Sequence, residues 1–437
     1  MTSRRFRKPA AGRARQLAAA TAAGALLAAG TLTAPAIAQT TVVTGTVQDG
    51  GLDRQALRQS LDAVHEAGMF GIYSEVRDGS QTWKGASGVA DVDTGRPVRP
   101  DMVHRVGSIS KTFATVAILQ QVERGAIELD APIGRYLPDL VPGERGQKIT
   151  VRMLLNHTSH IGDYIGPAFP SLLEGSTKSL DDNRFHTFAP EELVRLGLGA
   201  TPTGEPGAVP GSYSNTNYVL AGLLLKKVTG TDAEQYITRN VIRRAGLRNT
   251  SFPRTPLIPG PHSKAYESWY GFIDPPRDYS VYNMSWASTA GAIVSTMDDL
   301  NRFYRALLRG ELVGAAQVAE MQKTVPVLVG GGSIAYGLGL YSLDLPCGRF
   351  WGHDGGVFGM GTQSLSSPDG NRQLSFGINL MKYQKIDENG QLVPSPIDYA
   401  LVDHVVVALC GDTAAQAKAS RPQFLPLPSD NVPIGVR

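Results

Sequence analysis

The sequence predicts an α+β fold: both ends of the chain build one antiparallel sheet, and the middle third is a helical insertion. Three observations lead there. Period-two alternation with turn signals occurs near residues 70–90 and again between about 336 and 380. Between about 130 and 290 the chain carries many Pro and Gly residues and short helical patterns instead. A helical pattern, Ile397–Leu409, then closes the chain just before Cys410.

The N-terminus comes first. Arg4, Arg5, Arg7, Lys8, Arg13 and Arg15 stand there without an acid, an Ala- and Leu-rich stretch follows from Leu17 to Ile37, and Ala36-Ile37-Ala38 forms a small-x-small site. This is the layout of a secretory signal peptide over residues 1–38. Gly24, Gly30 and Pro35 interrupt the apolar stretch, which makes a stable membrane anchor the weaker reading. Arg4-Arg5 permits a twin-arginine reading, although the residues after it fit poorly; either route predicts a secreted, extracellular protein. Removing these six cations turns the net charge of +3 into −3. Basicity therefore gives no reason to expect nucleic acid.

Residues 39–50 read as a Thr- and Gly-rich leader, and 51–410 as the folded domain. Its sheet is expected from 51–130 and 290–410, and its helical lobe from 131–289. Residues 411–437, with Pro422, Pro426, Pro428 and Pro433, are expected to be a disordered tail. Along the domain, Leu52–Ala67 reads as a helix, Phe70–Arg77 and Thr82–Val89 as strands around the turn Asp78-Gly79-Ser80, and Ser110–Glu123 as a helix stopped by Gly125. Tyr218–Val228 and Asp298–Arg309 are further helices ended by glycines. Strands are expected at Tyr336–Leu343, Gly348–Trp351, Gly361–Ser367 and Arg372–Leu380. In an exported protein Cys347 and Cys410 are expected to form one bridge, which would fasten the last helix to the sheet; two buried, inert thiols are the other reading.

Ser108-Ile109-Ser110-Lys111 carries the chemistry. Residues three apart share a helix face, so the lysine amine can reach the serine hydroxyl and, with its proton affinity lowered by burial, serve as its base. A capping serine followed by a solvated lysine is the bland alternative. Tyr213-Ser214-Asn215 adds a tyrosine able to relay a proton, as a phenolate beside the lysine, and an amide whose oxygen can hold Lys111 while its nitrogen meets a substrate carbonyl. An ordinary helix-capping loop would read the same way. His353-Asp354-Gly355 is expected to follow a late strand, where Gly355 lets a substrate lie against the strand edge. The Gly356 amide would pair with that of Ser108 as an oxyanion hole. His157, His160 and Asp163 lack proper ligand spacing, so a metal site is disfavoured.

Ser-x-x-Lys, Tyr-Ser-Asn and His-x-Gly in this order resemble the penicillin-recognising serine hydrolases. The match is closest to secreted D-alanyl-D-alanine carboxypeptidases, with class C beta-lactamases as relatives. It runs from about Gly71 to Cys410 and includes Arg105-Val106-Gly107, Leu154-Leu155-Asn156-His157-Thr158-Ser159, Tyr213 through Tyr218, Ser285-Trp286-Ala287, Ala290-Gly291, Tyr336-Gly337-Leu338-Gly339-Leu340 and both cysteines. The resemblance implies a five-stranded antiparallel sheet flanked by helices beside an all-helical lobe, and an acyl-enzyme at Ser108 with no metal or organic cofactor. It also implies peptidase or amidase action on cell-wall peptides, with beta-lactams as acylating ligands. Lys111, Tyr213, Asn215 and His353 would complete the catalytic set, and Asp354, Gly355 and Trp286 would contact substrate, Trp286 having a core reading as well.

Two departures narrow this expectation. The carboxypeptidases carry His-Thr-Gly-Thr at the third motif and an arginine before the first cysteine, which together hold the substrate's terminal carboxylate. Here the chain reads His353-Asp354-Gly355-Gly356 and Tyr341-Ser342-Leu343-Asp344. Asp354 in the cleft would repel a carboxylate and attract an amine. Arg349, four residues before His353, would restore a cation only if the strand is regular, and a solvated arginine is the commoner case. An esterase, a D-aminopeptidase or D-amidase, or a beta-lactamase would use the same machinery. A non-catalytic penicillin-binding protein is disfavoured because no motif member is lost.

Overall fold

The computed structural model describes residues 51–411 and Ala414, apart from Gly331 and Gly390. The stretches read from sequence as a signal peptide (1–38) and a leader (39–50), and nearly all of the expected tail, lie outside the described residues. Asp53 caps the first helix, α1 (Arg54–Glu66), by accepting from Gln55 N and Ala56 N. The hairpin β1 (Gly71–Asp78) and β2 (Gln81–Asp91) follows, then β3 (Arg96–Pro97) and α2 (Ser110–Glu123). The middle of the chain contributes α3 (Pro190–Gly199), β4 (Gly211–Ser212) and α4 (Thr216–Thr229). After α5 (Met297–Leu308) come β5 (Val325–Val329), β6 (Gly332–Tyr336), β7 (Tyr341–Leu345), β8 (Gly348–Val357), β9 (Met360–Ser366), β10 (Arg372–Ile378) and α6 (Pro396–Cys410).

These strands form one ten-stranded sheet in the order β3-β2-β1-β10-β9-β8-β7-β6-β5-β4. The fold is α+β as expected, but the sheet is larger than five strands. Its five long central strands, β2, β1, β10, β9 and β8, are antiparallel; β7, β6 and β5 extend it, and β4 pairs parallel to β5. The β5–β6 hairpin went unread because Pro326 and the glycines before Ser333 break the alternation. Tyr336–Leu343 is likewise not one strand. Gly337 N donates to Leu340 O at 2.8 Å and Gly339 takes φ 67°, so the chain reverses between β6 and β7. Residues 131–289 also contain paired two-residue strands, Tyr266–Glu267 and Arg277–Asp278.

The two sheet faces divide the core. Helices α1 and α6 cover one face, packing on β1, β2 and β10; α5 lies on the other, across β1, β9 and β10. Helix α2 is buried from Ser110 through Gln121 rather than along one stripe, because α4 packs against it while Phe303 and Tyr304 of α5 meet its Phe113 and Thr112. Cys347, in the β7–β8 turn, is disulfide-bonded to Cys410 at the end of α6, with 5.5 Å between Cα atoms. Among the described residues no helix is long and apolar enough to cross a membrane.

Candidate active site

Ser108 lies in a single 3₁₀ turn, Gly107–Ile109, that feeds directly into α2. Gly107 takes φ 51°, and a Cβ there would stand 2.9 Å from Gly356 N, so only glycine fits this approach to β8. One helical turn on, Lys111 Nζ is 2.8 Å from Ser108 Oγ, 2.7 Å from Asn215 Oδ1 and 2.9 Å from Ala290 O. The lysine is fully buried. Burial lowers its pKa from 10.5 to about 7, against the opposing pull of Asp163 and Asp354.

The Tyr213 ring lies under the same amine, 4.9 Å from Nζ to the ring centroid, with its hydroxyl on the side of Ser108. The phenolate expected from sequence is not supported. Burial raises Tyr213 well above its usual pKa, so the group is a neutral phenol. Asn215 Oδ1 holds Lys111 as expected, whereas its Nδ2 donates to Asp163 Oδ2 at 2.8 Å. Beneath Tyr213 lies His157, with ring centroids 4.1 Å apart. Its Nδ1 accepts from Ser214 N and Asn217 Nδ2, both at 3.2 Å, which assigns the proton to Nε2. His160 is engaged at both nitrogens, by Thr203 Oγ1 and Ala208 O at 3.0 Å each. The two histidines therefore organise the loops around Tyr213 and do not converge with Asp163.

His353, Asp354 and Gly355 lie within β8, not after it, because this strand continues to Val357. Strand β7 pairs only with Gly348–Gly352, so residues 353–357 pair with β9 on one side and face the Ser108 turn on the other. A Cβ on Gly355 would stand 2.0 Å from Val106 O and 2.8 Å from Ser108 N, so β8 and the nucleophile turn are in backbone contact. This contact brings the Ser108 and Gly356 segments together. His353 touches neither Ser108 nor Lys111: its Nε2 meets Tyr336 Oη at 2.8 Å and its Nδ1 meets Asp354 O at 2.5 Å. Burial lowers its pKa to about 3, so it is neutral.

Asp354 is buried opposite Gln363 in the ladder, and its charge acts on Lys111 and Tyr213. Trp286 is 9% exposed and packs among Phe358, Phe169 and Tyr282, with centroids 5.4, 5.8 and 6.3 Å away. Arg349 is exposed and bidentate on Asp344, at 2.6 and 2.8 Å, so it supplies no free cation to the cleft. Around the site only Asn215, Asp163 and Gly356 keep appreciable exposure among these groups; Lys111, Tyr213 and His353 are sealed.

Sequence reasoning missed three positions. Asp163 was weighed only as a metal ligand. Tyr336, whose hydroxyl meets His353, was noted only as part of the resemblance. Arg105 is buried, donating to the carbonyls of Tyr279, Ser280 and Pro256 at 2.9, 2.9 and 3.0 Å, and its guanidinium stacks 4.1 Å from the Tyr282 ring. The sequence places it only within the resemblance, as Arg105-Val106-Gly107, without a role.

Comparison with known proteins adds the family context. A family model described as Beta-lactamase matches residues 54–379. A solved D-stereospecific amidohydrolase from a Streptomyces species is 35% identical, with a TM-score of 0.71 over 82% of this chain and 99% of that one. Penicillin-binding protein 4* of Bacillus subtilis is 26% identical over 74% of this chain and 71% of its own length. Esterase EstB of Burkholderia gladioli is 31% identical over 46% of this chain and 53% of its own length.

Proposed function

The chain belongs to the beta-lactamase family of serine hydrolases, and from that premise we propose that it is an exported amidohydrolase acting on D-amino-acid amides or esters through an acyl-enzyme at Ser108. The observation that carries the substrate side is the charge around the nucleophile. Asp163 and Asp354 both act on Lys111, and Arg349, four residues before His353 on the same strand, is committed to Asp344. A terminal carboxylate would meet acids there, while a neutral amide or ester would not. The 35% identity to the D-stereospecific amidohydrolase supports the same class. Export is supported by the basic and apolar N-terminus and by the disulfide.

In this reading the neutral Lys111 amine accepts the Ser108 proton as Oγ attacks the acyl carbon. The amides of Ser108 and Gly356 receive the oxyanion. The carbon–nitrogen bond breaks as the Tyr213 phenol protonates the departing amine and recovers a proton from Lys111. Water then attacks the ester, its proton passes to the same pair, and Ser108 is restored with release of the acid.

The test compares kcat/KM for a D-amino-acid amide, the matching ester, the L-enantiomers and a free-acid D-alanyl-D-alanine peptide. Amide and ester are expected to lead. A clear preference for the free acid would overturn this reading and restore the carboxypeptidase specificity, which the likeness to penicillin-binding protein 4* supports. Intact mass after exposure to an acylating ester or beta-lactam is expected to show one adduct, absent in Ser108→Ala.

A further inference from the structure

We propose that Asp163 is a positioning residue for this reaction, clamping the Asn215 amide in the one orientation that presents its oxygen to Lys111 and so holds the amine against Ser108. The inference rests on the acyl-enzyme reading above and concerns a residue outside its three motifs.

A primary amide has two nearly isosteric ends, so rotation by half a turn about its last bond exchanges an acceptor for a donor. At Asn215 that exchange would turn Nδ2 toward the Lys111 amine and Oδ1 toward Asp163. The carboxylate prevents it. Asp163 Oδ2 accepts from Asn215 N at 3.0 Å and from Asn215 Nδ2 at 2.8 Å; burial raises this carboxyl's pKa, while these donors, Ile165 N and the Lys111 charge favour its ionised form, which has no proton to offer the flipped oxygen. The clamp is itself held: Asp163 Oδ1 accepts from Ile165 N at 3.0 Å. Neighbouring bonds join the two loops. Gly162 O accepts from Thr216 Oγ1 at 2.7 Å and Ser214 Oγ at 3.2 Å, and Tyr164 N donates to Thr216 Oγ1 at 3.1 Å. The result is a chain, Asp163 to Asn215 to Lys111 to Ser108, whose first two links have a fixed donor and acceptor and whose last link reverses as Lys111 loses or gains its proton. Asp163 is half-buried where Lys111 is fully buried, and asparagine has the shape of aspartate, so Asp163→Asn adds no bulk.

The carboxylate also acts through its charge. The titratable groups facing Lys111 are Asp163, Asp354, His353, His157, Tyr213 and Tyr218. Of these, both histidines are held neutral by burial, leaving the two acids to oppose the lysine's desolvation. Removing one acid lowers the lysine's proton affinity further.

The experiment follows the acylation burst of an activated ester from pH 5 to 9 in the wild-type protein, Asp163→Asn, Asn215→Ala and the double variant. Asp163→Asn is expected to slow acylation about 10- to 100-fold and to move the acid limb of the profile to lower pH. In the Asn215→Ala background the same change is expected to cost little further rate while still moving the limb. Burst amplitude counts folded sites, so misfolding lowers amplitude and leaves the rate readable. An unchanged rate and limb in Asp163→Asn, or an undiminished rate loss in the Asn215→Ala background, overturns the positioning role. Turnover that survives in Ser108→Ala would instead sink the acyl-enzyme reading itself, so the two failures are distinguishable.

Discussion

Lys111 Nζ and Ser108 Oγ lie 2.8 Å apart with the lysine sealed from solvent, and that burial sets the amine's pKa at about 7. The pair is thus poised to exchange a proton near neutral pH. The acylation rate is expected to rise about tenfold per pH unit below pH 7 and to level off above it, because the neutral amine is the active form. Stability follows the same group. Its folded pKa lies below the 10.5 of an ordinary lysine, so its contribution is full above about 10.5 and declines as pH falls toward 7. Stopped-flow profiles and denaturant melts across this window check both.

Tyr213→Phe separates the two proton transfers. The phenol is held protonated, and an amine leaving group needs that proton while a nitrophenolate does not. Amide hydrolysis is expected to fall by about 100-fold or more, and acylation by an activated ester by less than about tenfold. Equal losses on both substrates would mean that the hydroxyl serves the attack step instead.

Gly355→Ala tests the contact between β8 and the nucleophile turn. The added methyl would meet Val106 O and Ser108 N, and either strand or turn must retreat. Acylation is expected to drop about 100-fold, as for loss of one oxyanion donor, with near-native circular dichroism. A normal burst rate would exclude a tight oxyanion hole at this place.

The Cys347–Cys410 bridge closes a loop with a sequence separation of 63 residues. Cys347→Ser combined with Cys410→Ser is expected to lower unfolding free energy by up to about 4 kcal/mol, measured by urea titration at fixed pH. Because the bridge lies outside the catalytic contacts, kcat at moderate temperature is expected to be unchanged.

How much of this was legible in the sequence differs by feature. Helix α2 was placed residue for residue, since Gly107 and Gly125 punctuate it and its interior is apolar. The sheet's long strands were found because alternation and turns are local signals. The β5–β6 hairpin was not, because Pro326 and its glycines imitate a loop and only pairing with β7 and β4 makes it a sheet. At the site, the spacing of Ser108 and Lys111 was readable from helical geometry, and Asn215's hold on Lys111 from its chemistry. Neutral Tyr213 was not, because its protonation depends on the depth of burial. Asp163 was hidden for a similar reason: its role comes from contact with Asn215, 52 positions further along the chain.

The pairing of β1 with β10, which sets Ile72 opposite Ile378, also governs how the molecule comes into being. The first hairpin is complete once residue 91 has been made, yet its inner edge waits for a strand near the far end of the chain. Until then β1 offers unpaired amides and carbonyls to any passing strand. The nucleophile turn depends on the same late event, since β8, which contacts it, is also made late. Assembly of the site is therefore expected to follow the arrival of these last strands, with slow non-local closure as the expected rate-limiting step in maturation.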